Sequence, residues 1–493
     1  MRMKQTLSAL STQRLMTLVL FLCVFVMATQ PITDPDFWWH LRTGQYIWET
    51  GSIPRHDVFS HTLPHQPWIT HEWLTEVILY AIYAVSGQGA LILVFAGIIT
   101  AAFALLYLQC PGRPYLASFV VVGGAITSAV TWGVRPQMIS LLLSAIFLYI
   151  LHLYRQGKTQ YVWLLPPLMV LWANMHGSFF LGLVFPAVYV VGAAIDNLVD
   201  RVEEARFGWQ DVRRLATVTV ITAAAPVLNP NGVQLLIYPF GTLGSPAMQR
   251  YIMEWFSPDF HLAQFQPFAL FILVLLAGLA LSRRPPRPTE FLFMIGFGYA
   301  SLLSARHIPF FVLTTTPLLA HHLLHIWRRT EWSKRYGAPR RRVGAVSTVV
   351  NWALLGVLLL GGAAKASYTL AGNAAAQRDA FPVAAADFLD QSQIAGNMYN
   401  LYHWGGYLLW RMYPERQVFI DGRADVYGEK FIDEYLQVYQ LRETWQDPLN
   451  RYNVTVAFID NGSPLSTMLS ERSDWRRVYA DDQASIFARV EGI

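Results

Sequence analysis

Asp34-Pro35-Asp36-Phe37-Trp38-Trp39-His40 follows closely on an apolar run, Arg14 to Thr29, long enough to cross a bilayer. Two carboxylates therefore sit where a membrane helix surfaces, a placement that a lone anchor does not need. They form either a site at the membrane face or the charged cap of the next short helix, since Asp is a strong N-cap residue. The following stretch, Leu41 to Glu76, is rich in Trp, His, Asp and Pro, including Trp48, His56, Asp57, His61, His65, Trp68, His71, Glu72 and Trp73. It is too polar for lipid and too aromatic for a solvated linker.

Composition agrees with a membrane protein. The chain is 54% hydrophobic and only 14% charged, against about 25% charged in soluble domains, and its mean hydropathy is +0.32. A hydrocarbon core takes ~20 apolar residues per crossing helix. The first run follows Arg2, Lys4 and Arg14 and ends in no small-residue cleavage pattern, so it reads as an uncleaved signal anchor. Both cysteines, Cys23 and Cys110, fall in or beside apolar runs, which excludes a disulfide framework and a thiolate metal site. The net charge of +5 falls largely in short interhelical loops, where it sets membrane orientation, and nucleic acid is set aside as a partner.

The basic loops are Arg155-Gln-Gly-Lys158, Arg201 to Arg214, Arg283-Arg284-Pro-Pro-Arg287, and Arg328-Arg329 through Arg340-Arg341-Arg342. Placed in the cytoplasm, they predict crossings near 89–108, 114–132, 137–154, 161–174, 178–198, 213–229, 264–282, 289–304, 308–327 and 345–364. With the anchor, that is about eleven. The N-terminus is then cytoplasmic, in a plasma or inner membrane. Segment 70–86 carries Glu72 and Glu76 and reads as an amphipathic helix on the outer surface. The competing reading, a second crossing there, would move every later basic loop outside.

On this topology residues 1–372 form a polytopic α-helical bundle with a large first outer loop, 31–88. Residues 373–493 form an extracytoplasmic α/β domain. That domain alternates β-rich runs (Gln417–Ile420, Val454–Ile459, Ala484–Ala488) with helical ones (Gly406–Tyr413, Lys430–Leu441, Leu465–Ser470). The outer face collects Asp34, Asp36 and His40, then Arg135, Asn174 and His176, then Asn229 through Glu254, and finally Arg306 and His307. Singly, each has a packing explanation: Asn174 and His176 as interhelical hydrogen bonds, Arg135 as a snorkelling cation. Together, ionisable groups at helix mouths point to a polar cavity, because facing lipid would cost a few kcal/mol each.

The order of anchor, acidic outer loop, bundle with polar outer mouths and soluble outer domain resembles the GT-C superfamily of membrane glycosyltransferases. The residues carrying the resemblance are Asp34-Pro-Asp36, Pro67-Trp68-Ile-Thr-His71-Glu72-Trp73-Leu74, Trp172-Ala-Asn174-Met-His176-Gly177 and Arg306-His307. It implies a polyprenyl-phosphate-linked sugar donor, an acceptor that is a glycan, lipid or protein, and an acidic residue of the first outer loop as general base or metal ligand. That role falls on Asp36, with Asp34 second. A sugar on a lipid phosphate already has a good leaving group, so one carboxylate that deprotonates the acceptor can suffice. Arg135 and Arg306 could meet the departing phosphate, and His40 or His176 could help to hold a divalent cation, Mg²⁺ or Mn²⁺.

In the outer domain, Trp404-Gly-Gly-Tyr407 resembles the Trp-Trp-Asp-Tyr-Gly acceptor motif of oligosaccharyltransferases but lacks its first acidic residue, so peptide recognition does not carry over. Asp421-Gly422-Arg423-Ala-Asp425 forms a polar loop that either grips sugar or phosphate at the membrane mouth or pairs internally. The substrate-binding expectation thus covers His40, Arg135, Asn174, His176, Glu254, Arg306, His307, Trp404, Tyr407, Asp421, Arg423 and Asp425. A transporter or scaffold that binds lipid-linked glycans is the alternative. Helix interiors nearly free of charge favour the enzyme.

Overall fold

The computed structural model describes residues 10–199, 208–244, 250–331 and 345–490. The basic segments 201–207 and 340–342, which entered the orientation argument, lie outside the described residues, as do Arg2 and Lys4. Among the described residues five helices are long and apolar enough to cross a membrane: Trp73–Gln109, Gln137–Arg155, Gly177–Leu198, Ala263–Ser282 and Val346–Ala380. The other six expected crossings also fall on helical segments, but shorter or less apolar ones. Pro288–Leu303, with 16 residues, reaches only about 24 Å, and the segment near 161–174 contains an α-helix of 9 residues, Leu165–Ala173. Length and composition thus support fewer crossings than the eleven expected.

Proline starts several of these helices, where its missing N–H costs nothing. Pro267, Pro288 and Pro309 occupy first-turn positions. The Trp73–Gln109 helix bends at Gly87, whose φ of 69° needs the freedom of glycine. Its first part packs on the Asp36–Thr50 helix, and Glu76 is 1% exposed. The expected amphipathic surface helix therefore turns its acidic side inward, because that side meets histidines rather than water.

After the Ala345–Ala380 helix comes a four-stranded sheet in the order β1-β2-β4-β3, with β1 Asn397–Asn400, β2 Val454–Asp460, β3 Trp475–Ala480 and β4 Ala484–Arg489. β1 and β2 are parallel and the other pairs antiparallel. The expected strand at Gln417–Ile420 is a correction: this extended run leaves the sheet and staples the first outer loop. Val418 N–H donates to Phe59 O at 3.2 Å, His61 N–H donates to Val418 O at 3.1 Å, and Thr62 Oγ1 donates to Phe419 O at 2.7 Å.

Arg423 completes that junction. Its Nη2 lies 2.8 Å from Asp57 Oδ1 and 2.7 Å from Asp421 Oδ2. Its guanidinium sits 5.0 Å from the Phe59 ring centre and 4.6 Å from that of Trp68. A buried charge persists only when paired and hydrogen-bonded, so the first outer loop and the C-terminal domain fold as one packed unit.

Candidate active site

Asp36 opens the Asp36–Thr50 helix, with Pro35 at its N-cap. Its Oδ1 accepts from Trp39 Nε1 at 3.0 Å, and its backbone N–H donates to Asp34 Oδ1 at 2.9 Å. The two carboxylates therefore differ in role. Asp34 is both a cap and an ion-pair partner, since its Oδ2 lies 2.6 Å from Arg135 Nη1. Arg135 spends its second nitrogen on Glu254. Among the described residues Asp36 has no cation at ion-pair distance. Burial pushes its carboxyl up from 3.8 to about 8, helped by the charge of Asp34 and opposed by Trp39 and Arg135.

The C-terminal domain closes over this carboxylate through Gly422. A Cβ built there would lie 2.0 Å from Asp36 Oδ1, and one at Gly406 would lie 2.7 Å from Pro35 O. Only glycine permits these approaches. Gly422→Ala should displace Asp36 and lower transfer roughly 100-fold, the cost of misplacing a reacting group by about 1 Å, while the melting temperature moves little. Comparing turnover and thermal unfolding of the variant checks this.

A second cluster lies deeper, on three separate segments. His40 Nδ1 is 3.1 Å from Glu76 Oε1 and 3.3 Å from Glu72 Oε2. Glu72 Oε1 is 3.2 Å from His71 Nε2 and 3.3 Å from His176 Nε2. The hydrogen bonds set the protonation. His176 Nδ1 accepts from Ser178 N–H at 3.0 Å, so its proton sits on Nε2, facing Glu72. His71 donates from Nδ1 to Ile69 O at 3.0 Å and faces Glu72 with Nε2, a contact that favours the protonated imidazole. Burial opposes that charge, but Glu72 outweighs it and holds the His71 pKa above its ordinary value. Burial holds the neighbouring imidazoles low, His40 at about 4 and His176 at about 3. Burial pushes the Glu72 carboxyl up, yet His176, His71 and His40 together bring it below the ordinary range.

The donor set of His40, Glu72 and Glu76 fits a divalent cation. One ligand atom from each lies within 4.8 Å of the others, and Glu76 Oε2 is buried with no hydrogen-bond partner among the described residues. Mixed imidazole and carboxylate donors suit Mn²⁺ or Zn²⁺ better than Mg²⁺, which prefers oxygen and water. Glu72 and Glu76 were not among the sequence-expected site residues. Their i, i+4 spacing on one helix face was the available signal, but it needs the fold to bring His40 opposite.

Asp36, His40, Glu72, Arg135, His176 and Arg306 all line one cavity of about 180 Å³, together with Glu254, His307, Arg423 and Asp425. Asp425 Oδ2 accepts from Tyr238 Oη at 3.2 Å. Arg306 stacks on Trp255, with Cζ 4.4 Å from the ring centre. Among the described residues no carboxylate comes within ion-pair distance of Arg306. Burial lowers its pKa somewhat, and Glu254 partly restores it.

Three expected residues fall elsewhere, and a fourth is held in a network. Trp404 packs on Phe458 and Tyr407 on Trp38 and Phe381. Their motif serves packing because Gly405 and Gly406 bring its helix against Ile420 and Pro35. Asn174 accepts from Trp73 Nε1 at 2.9 Å and from Asn229 Nδ2 at 3.1 Å, an interhelical link outside the cavity. Asp421 is occupied by Arg423 and by Tyr427 Oη at 3.0 Å.

No protein-family model and no curated protein matches the sequence. Solved structures do match its shape. The archaeal oligosaccharyltransferase AglB from Archaeoglobus fulgidus, in complex with an inhibitory peptide and a dolichol-phosphate, superposes with a TM-score of 0.54 at 11% identity, over 90% of this chain and 69% of that one. The arabinofuranosyltransferase AftD from Mycobacteria gives a TM-score of 0.51 at 14% identity, over 98% of this chain and 40% of that one. The chain has the GT-C fold. It is mostly helical with one small sheet, and its apolar helices are those of a multi-pass membrane protein.

Proposed function

We propose that this GT-C-like protein transfers a sugar from a polyprenyl-phosphate donor to an acceptor hydroxyl at the outer face of the membrane. One observation carries the reading. Arg306 lies where the polar cavity adjoins a second, apolar cavity of about 800 Å³, the two sharing Phe180, Leu181, Trp255 and His307 as a common wall. A charged head chamber beside a larger apolar chamber matches a lipid phosphate, and the apolar one lies between the Gly177–Leu198 and Pro288–Leu303 helices. The dolichol-phosphate in the archaeal structure is the same class of molecule.

The chain's own residues divide the reaction between them. Asp36 accepts the proton of the acceptor hydroxyl, a step worth typically 10²- to 10⁴-fold. Trp39 holds its Oδ1 in place, and Gly422 keeps the domain close above it. The hydroxyl oxygen attacks the anomeric carbon, and the bond from that carbon to the phosphate oxygen breaks. Arg306 meets the leaving phosphate. Arg135 has two carboxylates already, so its part is to orient Asp34 and Glu254. A cation held by His40, Glu72 and Glu76 would add positive charge for the phosphate.

Because Asp36 must be ionised to act as a base, transfer should rise with pH toward its pKa of about 8 and fall on the acid side of it. A pH profile of single-turnover transfer checks the sign, and a plateau already reached at pH 5 would contradict it. The broader test is a screen of the purified protein against a panel of polyprenyl-phosphate sugars. Transfer from one donor class supports the proposal. Tight donor binding with no transfer would move the protein to the transporter or scaffold class.

A further inference from the structure

A separate cavity of about 230 Å³ lies at the opposite ends of the helices that build the active site. The Gln137–Arg155 helix shows the separation: Gln137 lines the polar cavity and Arg155 this one, about 27 Å apart along the axis. Among the described residues five helices contribute, through Gln109, His152 and Arg155, Tyr189, Arg287 and Glu290, and His321. The walls deeper in are apolar, with Leu148, Phe293, Leu313 and Leu318.

The charge there is mainly positive. Arg113, Arg155 and Arg287 all reach His152 electrostatically. Among the described residues two acids face them, Glu290 and Asp196. Glu290 Oε2 accepts from the backbone N–H of Arg287 at 2.9 Å, which uses one of its oxygens to cap the helix. Asp196 lies 3.8 Å from Arg155 Nη2, at the outer limit of an ion pair. Arg155 Nε is buried without a hydrogen-bond partner among the described residues. A buried guanidinium nitrogen left unpaired is costly, and a phosphate oxygen is the acceptor that its planar fork matches.

We propose that this cavity binds the phosphate of an anionic lipid headgroup from the leaflet opposite the active site. Basic cavities between membrane helices suit such headgroups. The apolar inner wall favours a lipid over free phosphate, because it would accept the glycerol and first acyl carbons. The site is independent of the transfer reaction, and its occupancy would tie the ends of the Gln137–Arg155, Pro288–Leu303 and Ile308–Arg328 helices together.

The test uses native mass spectrometry of the full chain released from phosphatidylcholine vesicles with or without phosphatidylglycerol. A third preparation contains phosphatidylcholine with inorganic phosphate. Wild-type protein should retain one phosphatidylglycerol in preference to phosphatidylcholine. Arg155→Gln should lower that retention roughly tenfold, the scale of one charge-assisted hydrogen bond. Arg283→Gln, at an exposed position, should leave it unchanged. Equal retention of both lipids by the wild type would overturn the proposal without any variant. So would binding of inorganic phosphate alone, or an Arg155→Gln protein that retains phosphatidylglycerol as before.

Discussion

Asp36→Asn should lower sugar transfer by two or more orders of magnitude, within the usual 10²- to 10⁴-fold range for a general base, while donor affinity stays within about twofold of wild type. Asn matches Asp in size and can still accept from Trp39 Nε1 through its oxygen, so the local hydrogen bonding survives. What it loses is the capacity to take a proton. The fold should tolerate the change well. The folded pKa of Asp36 is raised from 3.8 to about 8, so ionising it destabilises the folded state as pH rises toward 8. An Asn side chain never ionises and escapes that loss. Single-turnover transfer and donor binding, measured on the same preparation, separate the two effects. A folded Asp36→Asn protein with full activity would remove Asp36 from the mechanism.

Arg306→Ala should weaken donor binding roughly 10- to 100-fold, the range expected when hydrogen bonds to a charged group are lost. Transfer per bound donor should fall as well, because negative charge builds up on the phosphate as its bond to the sugar breaks, so the contact is stronger in the transition state than in the ground state. Arg306→Lys should recover part of the binding, since it restores the charge without the planar stack on Trp255. Arg135→Ala provides the contrast. It would strand Asp34 and Glu254 as partly buried carboxylates without their cation, so its main effect should be on thermal stability. Donor titrations and melting curves of the three variants distinguish a phosphate contact from an internal ion pair. Unchanged donor affinity in Arg306→Ala would sink the phosphate assignment.

Much of the architecture was legible along the chain because membrane helices are specified locally. Lipid offers no hydrogen bonds, so each crossing must satisfy its own backbone, and a long apolar run suffices to announce it. The runs near 89–108, 137–154, 178–198, 264–282 and 345–364 were read this way, and each lies in a helix of spanning length. Shorter helices such as Pro288–Leu303 blurred the count because length alone does not separate a tilted crossing from a packed helix. The acidic pair was conspicuous for the same local reason, since charge beside lipid is expensive.

Strands gave weaker signals. Gln417–Ile420 has the composition of a strand, yet it pairs with Ser60 of the first outer loop through one isolated bridge. β3 carries Arg476 and Arg477 and was not expected, because charges on an edge strand mask its pattern while protecting it from further pairing. The Gln417–Ile420 run was decided by a partner distant in sequence, whereas β3 pairs with its sequence neighbour β4.

The sequence alone placed Asp36 just after an apolar helix and Arg306 and His307 in the short link between two others. Only the tertiary structure decided their roles. It gave Arg135 to Asp34 and Glu254 and left Arg306 with no carboxylate at ion-pair distance among the described residues, a distinction that depends on distances between residues more than 100 positions apart. It brought His40, Glu72, Glu76 and His176 into one cluster and pressed Gly422 onto Asp36. Local patterns encode which segments bury and which face water. The charge state of a carboxylate depends on which other charges surround it in three dimensions, and that is a property of the packed chain.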